Sequence, residues 1–195
     1  MSDTPPKTPT AQGLTAALGA LPPKGLPPVH LWNPPFCGDM DMRIARDGTW
    51  FHEGTPIGRP GMVKMFSSIL KLEDGRFYLV TPVEKVGITV EDAPFLAIDL
   101  SVEGRGRDQR LIFRTKTEDE AVAGPDHALR VEQGATSGEP SPYIHIRGGM
   151  EALIDRKTFY RLVDLGVHET VDGTGWFGVW SQGLFFPMIR SADLT

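Results

Sequence analysis

Apolar and polar residues alternate along several short stretches of the chain, which is the pattern of β-strands with one buried face. Between Cys37 and Ile44, the apolar residues Met40, Met42 and Ile44 fall on one face. The opposite face carries Cys37, Asp39, Asp41 and Arg43. Asp47-Gly48 is a hairpin-turn signal, after which Trp50 and Phe51 begin a return strand. The sequence therefore predicts a β-hairpin here.

A helix and further strands follow the hairpin. Pro60 suits the first turn of a helix, and the apolar residues that follow have helical spacing: Val63, Phe66, Ile69 and Leu70. Asp74-Gly75 predicts a turn. Three β-rich or alternating runs come next, at 77–80, 86–90 and 96–102. A short helix is also predicted near the start of the chain from the spacing of Leu14, Leu18 and Leu21.

The same order returns about one hundred residues later. Residues 143–147 alternate, and Gly148-Gly149 occupies the turn position of Asp47-Gly48. Asp155 is a good N-cap for a second helix. The run from Gly175 to Trp180 corresponds to the run from Gly75 to Val80. The sequence thus predicts an α+β protein of two similar strand–strand–helix–strand–strand units.

The predicted boundaries are a disordered tail at 1–12, a first unit at 13–103 and a second unit at 104–195. Two stacked units would share a cleft, and such interfaces are preferred ligand sites.

Composition and charge narrow the function classes. The chain has 195 residues, a formal net charge of -5 and one cysteine, Cys37. An acidic protein repels the phosphate backbone, so we expect no nucleic-acid partner. No apolar run approaches the ~20 residues of a membrane-spanning helix, and no secretory signal is present, so we expect a cytoplasmic protein without a membrane partner.

Three segments carry a family resemblance. They are Pro34 to Ile44, Thr81 to Lys85 and Val90 to Phe95. The chain resembles the bacterial family of unknown function numbered twelve eighty-five over nearly its whole length past the tail. The resemblance implies a duplicated core whose second half is loosely like pleckstrin-homology folds. It also implies a nucleotide-like ligand and a role in signal transduction, without an established activity.

Three groups of side chains could carry chemistry. Asp39 and Asp41 share a strand face and could hold Mg²⁺, with Arg43 pairing a phosphate; the alternative is a solvated face with partly cancelling charges. Tyr143 and Arg147 share a face of the second unit with His145, where a ring and a guanidinium could bind a base and a phosphate; the alternative is an exposed sheet face. The cluster Arg105, Arg107, Arg110 and Arg114 is either an anion site or a solvated hairpin tip.

The resulting hypothesis is a non-catalytic module that binds a small nucleotide-like anion in the cleft between the units, without a metal or cofactor, and signals to a protein partner. Cationic contacts are expected from Arg43, Arg59 and Lys85. Polar contacts are expected from Asp39, Glu84 and Asp92, with Tyr143 and Arg147 from the second unit. The alternatives are a metal-dependent phosphoester hydrolase or transferase that uses Asp39 and Asp41, and an interaction scaffold without ligand.

Overall fold

The structure is a computed structural model that describes residues 10–19, 25–134 and 138–194. It divides into two compact units between Glu91 and Asp92. The described residues form three sheets and three α-helices. None of these helices is long and apolar enough to cross a bilayer.

The first unit holds one six-stranded sheet, here called sheet A. Its elements are α1 Ala11–Gly19, β1 Phe36–Ile44, β2 Trp50–His52, β3 Thr55–Pro56, α2 Pro60–Ser68, β4 Leu70–Glu73, β5 Arg76–Val80 and β6 Lys85–Val90. The strand order is β3-β2-β1-β6-β5-β4, and only the central pair β1–β6 is parallel. Sheet A therefore consists of two antiparallel three-stranded meanders, β1-β2-β3 and β4-β5-β6, which are joined by the pairing of β1 with β6.

The alternation predicted for β1 is confirmed, because Met40, Met42 and Ile44 are buried whereas Asp39 and Asp41 are exposed. The predicted helix is also confirmed, with Pro60 in its first turn. Phe66 of α2 stacks on Trp50, with ring centroids 6.4 Å apart. A pair of buried aromatic rings in this geometry adds about 0.5–1.5 kcal/mol beyond the burial of their area, so it ties the helix to the sheet.

The second unit holds a six-stranded sheet B and a three-stranded sheet C. Its elements are β7 Phe95–Glu103, β8 Arg110–Thr115, β9 Glu120–Val122, β10 Leu129–Gln133, β11 Pro140–Arg147, β12 Met150–Ile154, α3 Arg156–Val163, β13 Val167–Val171, β14 Thr174–Ser181 and β15 Leu184–Arg190. Sheet B has the order β10-β11-β12-β7-β8-β9 and sheet C the order β13-β14-β15. Only β7 and β12 pair in parallel.

Sheets A and B share one topology, which supports the predicted duplication. Counted along the chain, the first and sixth strands of each sheet form the parallel pair at its centre. These two strands each belong to a three-stranded antiparallel meander that extends to one edge of the sheet. The predicted correspondence was different, since it matched residues 143–147 to β1. By sheet topology β1 corresponds to β7, and β11 is the fifth strand of sheet B. The likeness to pleckstrin-homology folds stays a prediction.

A hairpin, a helix and a three-stranded meander nevertheless follow one another twice along the chain. They are β1-β2, α2 and β4-β5-β6 in the first unit, and β11-β12, α3 and β13-β14-β15 in the second. Asp155 caps α3 as predicted, because its Oδ1 accepts the Thr158 N–H at 2.8 Å. The turn that matches Asp74-Gly75 is Asp172-Gly173, where both residues have positive φ as their counterparts do. Gly175, the predicted counterpart of Gly75, lies inside β14 instead.

The unit boundary also differs from the predicted one. The predicted boundary, between Glu103 and Gly104, falls within the β7–β8 hairpin. Strand β7 belongs to the second unit because it pairs with β8 and β12 and not with a strand of sheet A. Helix α1 begins at Ala11, inside the predicted tail; residues 1–9 and Leu21 lie outside the described residues.

Candidate functional site

A group of polar and aromatic side chains lies on one face of sheet A. Register pairs Lys71 with Tyr78, Tyr78 with Gly87, and Gly87 with Asp39, so these positions form a row across four strands. Directly paired residues share a face of a sheet. We call the surface formed by Phe36, Asp39, Arg76, Tyr78 and Lys85 around Gly87 the outer face.

Gly87 lies at the centre of the outer face. A Cβ at this position would collide with Asp39 Oδ1 and lie 3.2 Å from an Arg76 guanidinium nitrogen. The absence of a side chain therefore leaves room for the ion pair between Arg76 and Asp39, which is 2.8 Å long. The Arg76 side chain is 56% exposed and that of Asp39 67%. An ion pair this exposed contributes at most about 1 kcal/mol.

Two aromatic rings flank this ion pair. Phe36 and Tyr78 meet edge to face, with ring centroids 6.1 Å apart. The Arg76 guanidinium lies 5.5 Å from the centroid of Tyr78 and 5.9 Å from that of Phe36, and Lys85 Nζ lies 5.0 Å from that of Tyr78. Rings and cations within about 6 Å attract one another. The outer face therefore presents aromatic edges and two cations together.

A second set of charges adjoins the outer face. Glu73 accepts hydrogen bonds from Lys71 Nζ and Lys85 Nζ, both at 2.7 Å. These hydrogen bonds lower the pKa of Glu73, and the bond to Glu73 raises the pKa of Lys85. Lys71, Arg76 and Lys85 together with Asp39 and Glu73 are five charged side chains with a sum of +1 (three cations minus two carboxylates).

The other predicted residues of the first unit are dispersed. Arg43 lies further along the polar face of β1, where it pairs with Glu91 and lies 4.2 Å above the Phe51 ring. Arg59 holds the exposed N-cap position of α2. The backbone N–H of Glu84 donates to Thr81 Oγ1 at 3.2 Å in the β5–β6 turn. Among the described residues, no hydrogen bond or ion pair joins Arg59 or the carboxylate of Glu84 to the outer face.

Tyr143 and Asp92 contact each other in the second unit. The Tyr143 hydroxyl donates to Asp92 Oδ1 at 2.8 Å. We expected the Tyr143 ring to be exposed for stacking, but it is buried with Ala93 and Leu153. The Arg130 guanidinium covers it at 4.4 Å from the ring centroid. Register pairs Tyr143 with Leu153 of β12 and with Arg130 of β10, and these two side chains cover the ring from either side.

Arg147 is also more buried than the predicted exposed face implies. It pairs with Asp119, and its guanidinium lies 4.7 Å from the centroid of Phe95. Burial lowers the pKa of Arg147 to about 10. This value is far enough above neutral pH for the side chain to stay a cation.

The proposed metal ligands show no converging cluster. Asp41 is exposed, and its carbonyl accepts the Glu53 N–H at 3.0 Å. Asp39 is paired with Arg76. Within residues 10–19, 25–134 and 138–194, no three His, Cys, Asp or Glu side chains are grouped to hold a metal ion. Cys37 is partly buried and contacts the Pro35 carbonyl at 3.4 Å.

Sequence reasoning missed Phe36, Arg76 and Tyr78. Arg76 and Tyr78 alternate with Phe77 and Leu79, a period of two that places them on the face opposite the core. That signal was available, but it does not show which strand lies beside β1. A second missed feature is a cavity in the second unit whose walls include Arg107 and Trp180. The sequence places Arg107 in a cluster that is either an anion site or a solvated hairpin tip.

Two family models together match most of the chain. One is described as "Domain of unknown function (DUF1285), N-terminal domain" and matches residues 27–93. The other is described as "Protein of unknown function (DUF1285), C-terminal domain" and matches residues 94–188. The two models meet close to the division between the units of the structure.

Two solved structures are similar to the chain. A crystal structure of a DUF1285 family protein from Silicibacter pomeroyi DSS-3 is 62% identical with a TM-score of 0.85, covering 93% of this chain and 97% of that one. One from Shewanella baltica OS155 is 26% identical with a TM-score of 0.49, covering 63% of this chain and 90% of that one. No curated protein matches the chain.

Proposed function

Because the chain belongs to the DUF1285 family, which is described only as being of unknown function, we propose its function from its own side chains. We propose that it is a non-catalytic module of the bacterial cytoplasm that binds a small nucleotide-like anion. A protein partner then responds to the ligand-bound state, so the module acts in signal transduction. The binding surface is the outer face of sheet A.

One observation carries this proposal. The outer face combines two aromatic rings with two cations, Arg76 and Lys85, within 6 Å of the rings. Aromatic rings and guanidinium planes stack on nucleobases, and charge-assisted hydrogen bonds from Arg and Lys hold phosphate. Both parts of a nucleotide therefore find a complementary partner on the same surface.

The ion pair over Gly87 supports binding rather than opposing it. A phosphate can replace the Asp39 carboxylate on Arg76 at little cost, because that exposed pair contributes at most about 1 kcal/mol. The released carboxylate of Asp39 then accepts a hydrogen bond from a ribose hydroxyl. Glu73 holds Lys85 beside the Tyr78 ring. Lys85 is thereby positioned before the ligand arrives.

The contributions predicted from Arg43, Arg59, Glu84 and Asp92 remain proposals, as do those of Tyr143 and Arg147. The predicted location of the ligand between the units is the alternative proposal to the outer face.

The first test is a thermal-shift screen of nucleoside mono-, di- and triphosphates and cyclic nucleotides, each paired with its nucleoside. A ligand at ~100 times its dissociation constant stabilises the protein by about 2.7 kcal/mol. For a chain of this size that corresponds to a shift of about 5–10 °C. We expect a nucleotide to give this shift and its nucleoside to give less. A flat response throughout the panel would favour the scaffold without ligand.

The metal-dependent alternative has its own test. Purified protein is assayed for turnover of a phosphoester panel with Mg²⁺ and with Mn²⁺, alongside Asp39→Ala and Asp41→Ala. If the protein only binds its ligand, the wild type should show no more turnover than the two variants. Turnover that disappears in both variants would replace the binding function with a hydrolase or transferase.

A further inference from the structure

A cavity of about 340 Å³ opens in the second unit. Ligand sites typically begin at roughly this size. Its lining is Gly106, Arg107, Gln109, Leu165, Val167, Glu169 and Trp180. All of these lie beyond Asp92, so the cavity belongs to one unit and is separate from the outer face.

Three side chains at the cavity form a closed set of contacts. The Arg107 guanidinium lies 4.5 Å from the centroid of the Trp180 ring. One of its nitrogens donates to both oxygens of Glu169, at 3.1 and 3.3 Å. The Trp180 indole N–H donates to Glu169 Oε1 at 3.0 Å. The carboxylate is thus oriented by the indole, and a guanidinium is held between the ring and the carboxylate.

The two partners of this guanidinium are firmly held. The Glu169 side chain is 26% exposed and lies on β13. The carbonyl of Trp180 accepts the Gln109 amide at 2.9 Å, and the Trp180 ring packs on Phe185 with centroids 5.3 Å apart. The aromatic wall and the carboxylate therefore keep their positions whether or not Arg107 is present.

Arg107, by contrast, can withdraw without moving its backbone. Its carbonyl accepts the Gly183 N–H at 2.9 Å, which fixes the main chain to the β14–β15 turn. Its side chain is 65% exposed, so rotation about side-chain bonds carries the guanidinium into solvent. An exposed ion pair of this kind is weak, because water screens its charges.

We propose that this cavity is a binding site for a guanidinium group from outside the unit, and that Arg107 occupies it as an internal competitor. The incoming group stacks on Trp180 and pairs with Glu169 in place of Arg107. The aliphatic stem that carries it packs against Leu165 and Val167, the apolar part of the lining.

The geometry favours a guanidinium over other ligands. An anion would face the carboxylate of Glu169, and a neutral ligand would leave that carboxylate without a charged partner. A lysine ammonium is a compact, strongly hydrated charge, whereas a planar guanidinium stacks on indole and bridges two carboxylate oxygens. Arg107 itself makes both of these contacts.

The experiment follows the indole N–H resonance of Trp180 by ¹H–¹⁵N NMR in the full chain, with Trp180→Phe used to assign it. Three probes are titrated: methylguanidinium, a capped Gly-Arg-Gly peptide and the matching Gly-citrulline-Gly peptide, which lacks the charge. The proteins are wild type, Arg107→Ala, Arg107→Gln and the double variant Arg107→Ala/Glu169→Gln. Arg156→Ala, another exposed arginine of the second unit, is the matched control.

Removing the competitor should tighten binding. If Arg107 fills the site at least nine-tenths of the time, its loss tightens the arginine probes at least about tenfold. Arg156→Ala should bind the arginine probes as wild type does. The citrulline peptide should not bind to any of the proteins, and the Glu169 double variant should bind none of the probes.

Tighter binding of the arginine peptide than of methylguanidinium indicates a partner's arginine, and equal binding indicates a free guanidine compound. Arg107→Gln keeps the side-chain length and gives the same comparison if Arg107→Ala does not fold. Equal affinity in wild type and both Arg107 variants, or binding that persists without Glu169, would overturn the proposal.

Discussion

One of the contacts that join sheet C to sheet B is a buried hydroxyl. Ser181, at the end of β14, is fully buried; its Oγ donates to the Ala123 carbonyl at 2.6 Å and accepts the Leu111 N–H of β8 at 3.1 Å. Ser181→Ala removes the partner of both backbone groups at once. Leaving a buried donor or acceptor unsatisfied costs about 1–3 kcal/mol each. We therefore expect the free energy of unfolding to fall by about 2–6 kcal/mol, an estimate that sums the two groups.

Urea denaturation followed by tryptophan fluorescence and far-ultraviolet circular dichroism measures this loss. Ser101→Ala is the matched control, because Ser101 is an exposed strand residue of the same unit and its loss should stay within about 0.5 kcal/mol. The transition that moves should be that of the second unit, which contains Ser181. A Ser181→Ala protein as stable as the Ser101→Ala control would refute the reasoning about the two unsatisfied groups.

Further predictions concern two glycines, one helix cap and one carboxylate. A Cβ at Gly178 would collide with the Phe186 carbonyl oxygen and lie 2.9 Å from Pro187 Cα, so Gly178→Ala should cost at least about 1–3 kcal/mol in thermal unfolding. In Gly87→Ala the Cβ meets only the ends of exposed side chains, so stability should change by less than about 1 kcal/mol. Asp155→Ala should destabilise by about 1 kcal/mol, and Asp155→Asn should restore most of this. The lowered pKa of Glu73 means that its two lysine pairs stabilise the fold above its ordinary pKa of 4.5 and are lost as the pH falls. Glu73→Gln should therefore lower the melting temperature slightly at pH 7, and equal melting at pH 7 or a gap that widens towards pH 3 would contradict the assignment.

Local structure was predictable where a pattern of few residues decides it. The face of β1 that carries Met42, the helix start at Pro60 and the cap at Asp155 each follow from nearby residues. Pairing between strands distant in sequence was not predictable, because alternation shows which face a residue takes but not which strand lies beside it. For that reason β7 was assigned to the first unit, although it pairs with β12.

The same limit applies to the candidate site. Asp39 and Lys85 were predicted, and the parallel pairing of β1 with β6 places them on one surface. Arg76 and Tyr78 were missed because their proximity to Asp39 depends on β5 lying next to β6 and on the missing side chain of Gly87. Tyr143 was expected to be exposed, but it is buried with Leu153 and under Arg130.

The most direct test of the central claim is isothermal titration calorimetry of the nucleotide that stabilises the wild-type protein best. Arg76→Gln removes a charge-assisted contact of about 1.5–3 kcal/mol, so affinity should fall at least about tenfold, and Lys85→Gln should act in the same direction. Arg156→Gln removes an exposed cation from the second unit and should bind as wild type does. Undiminished affinity in both outer-face variants would contradict the assignment of the ligand to sheet A.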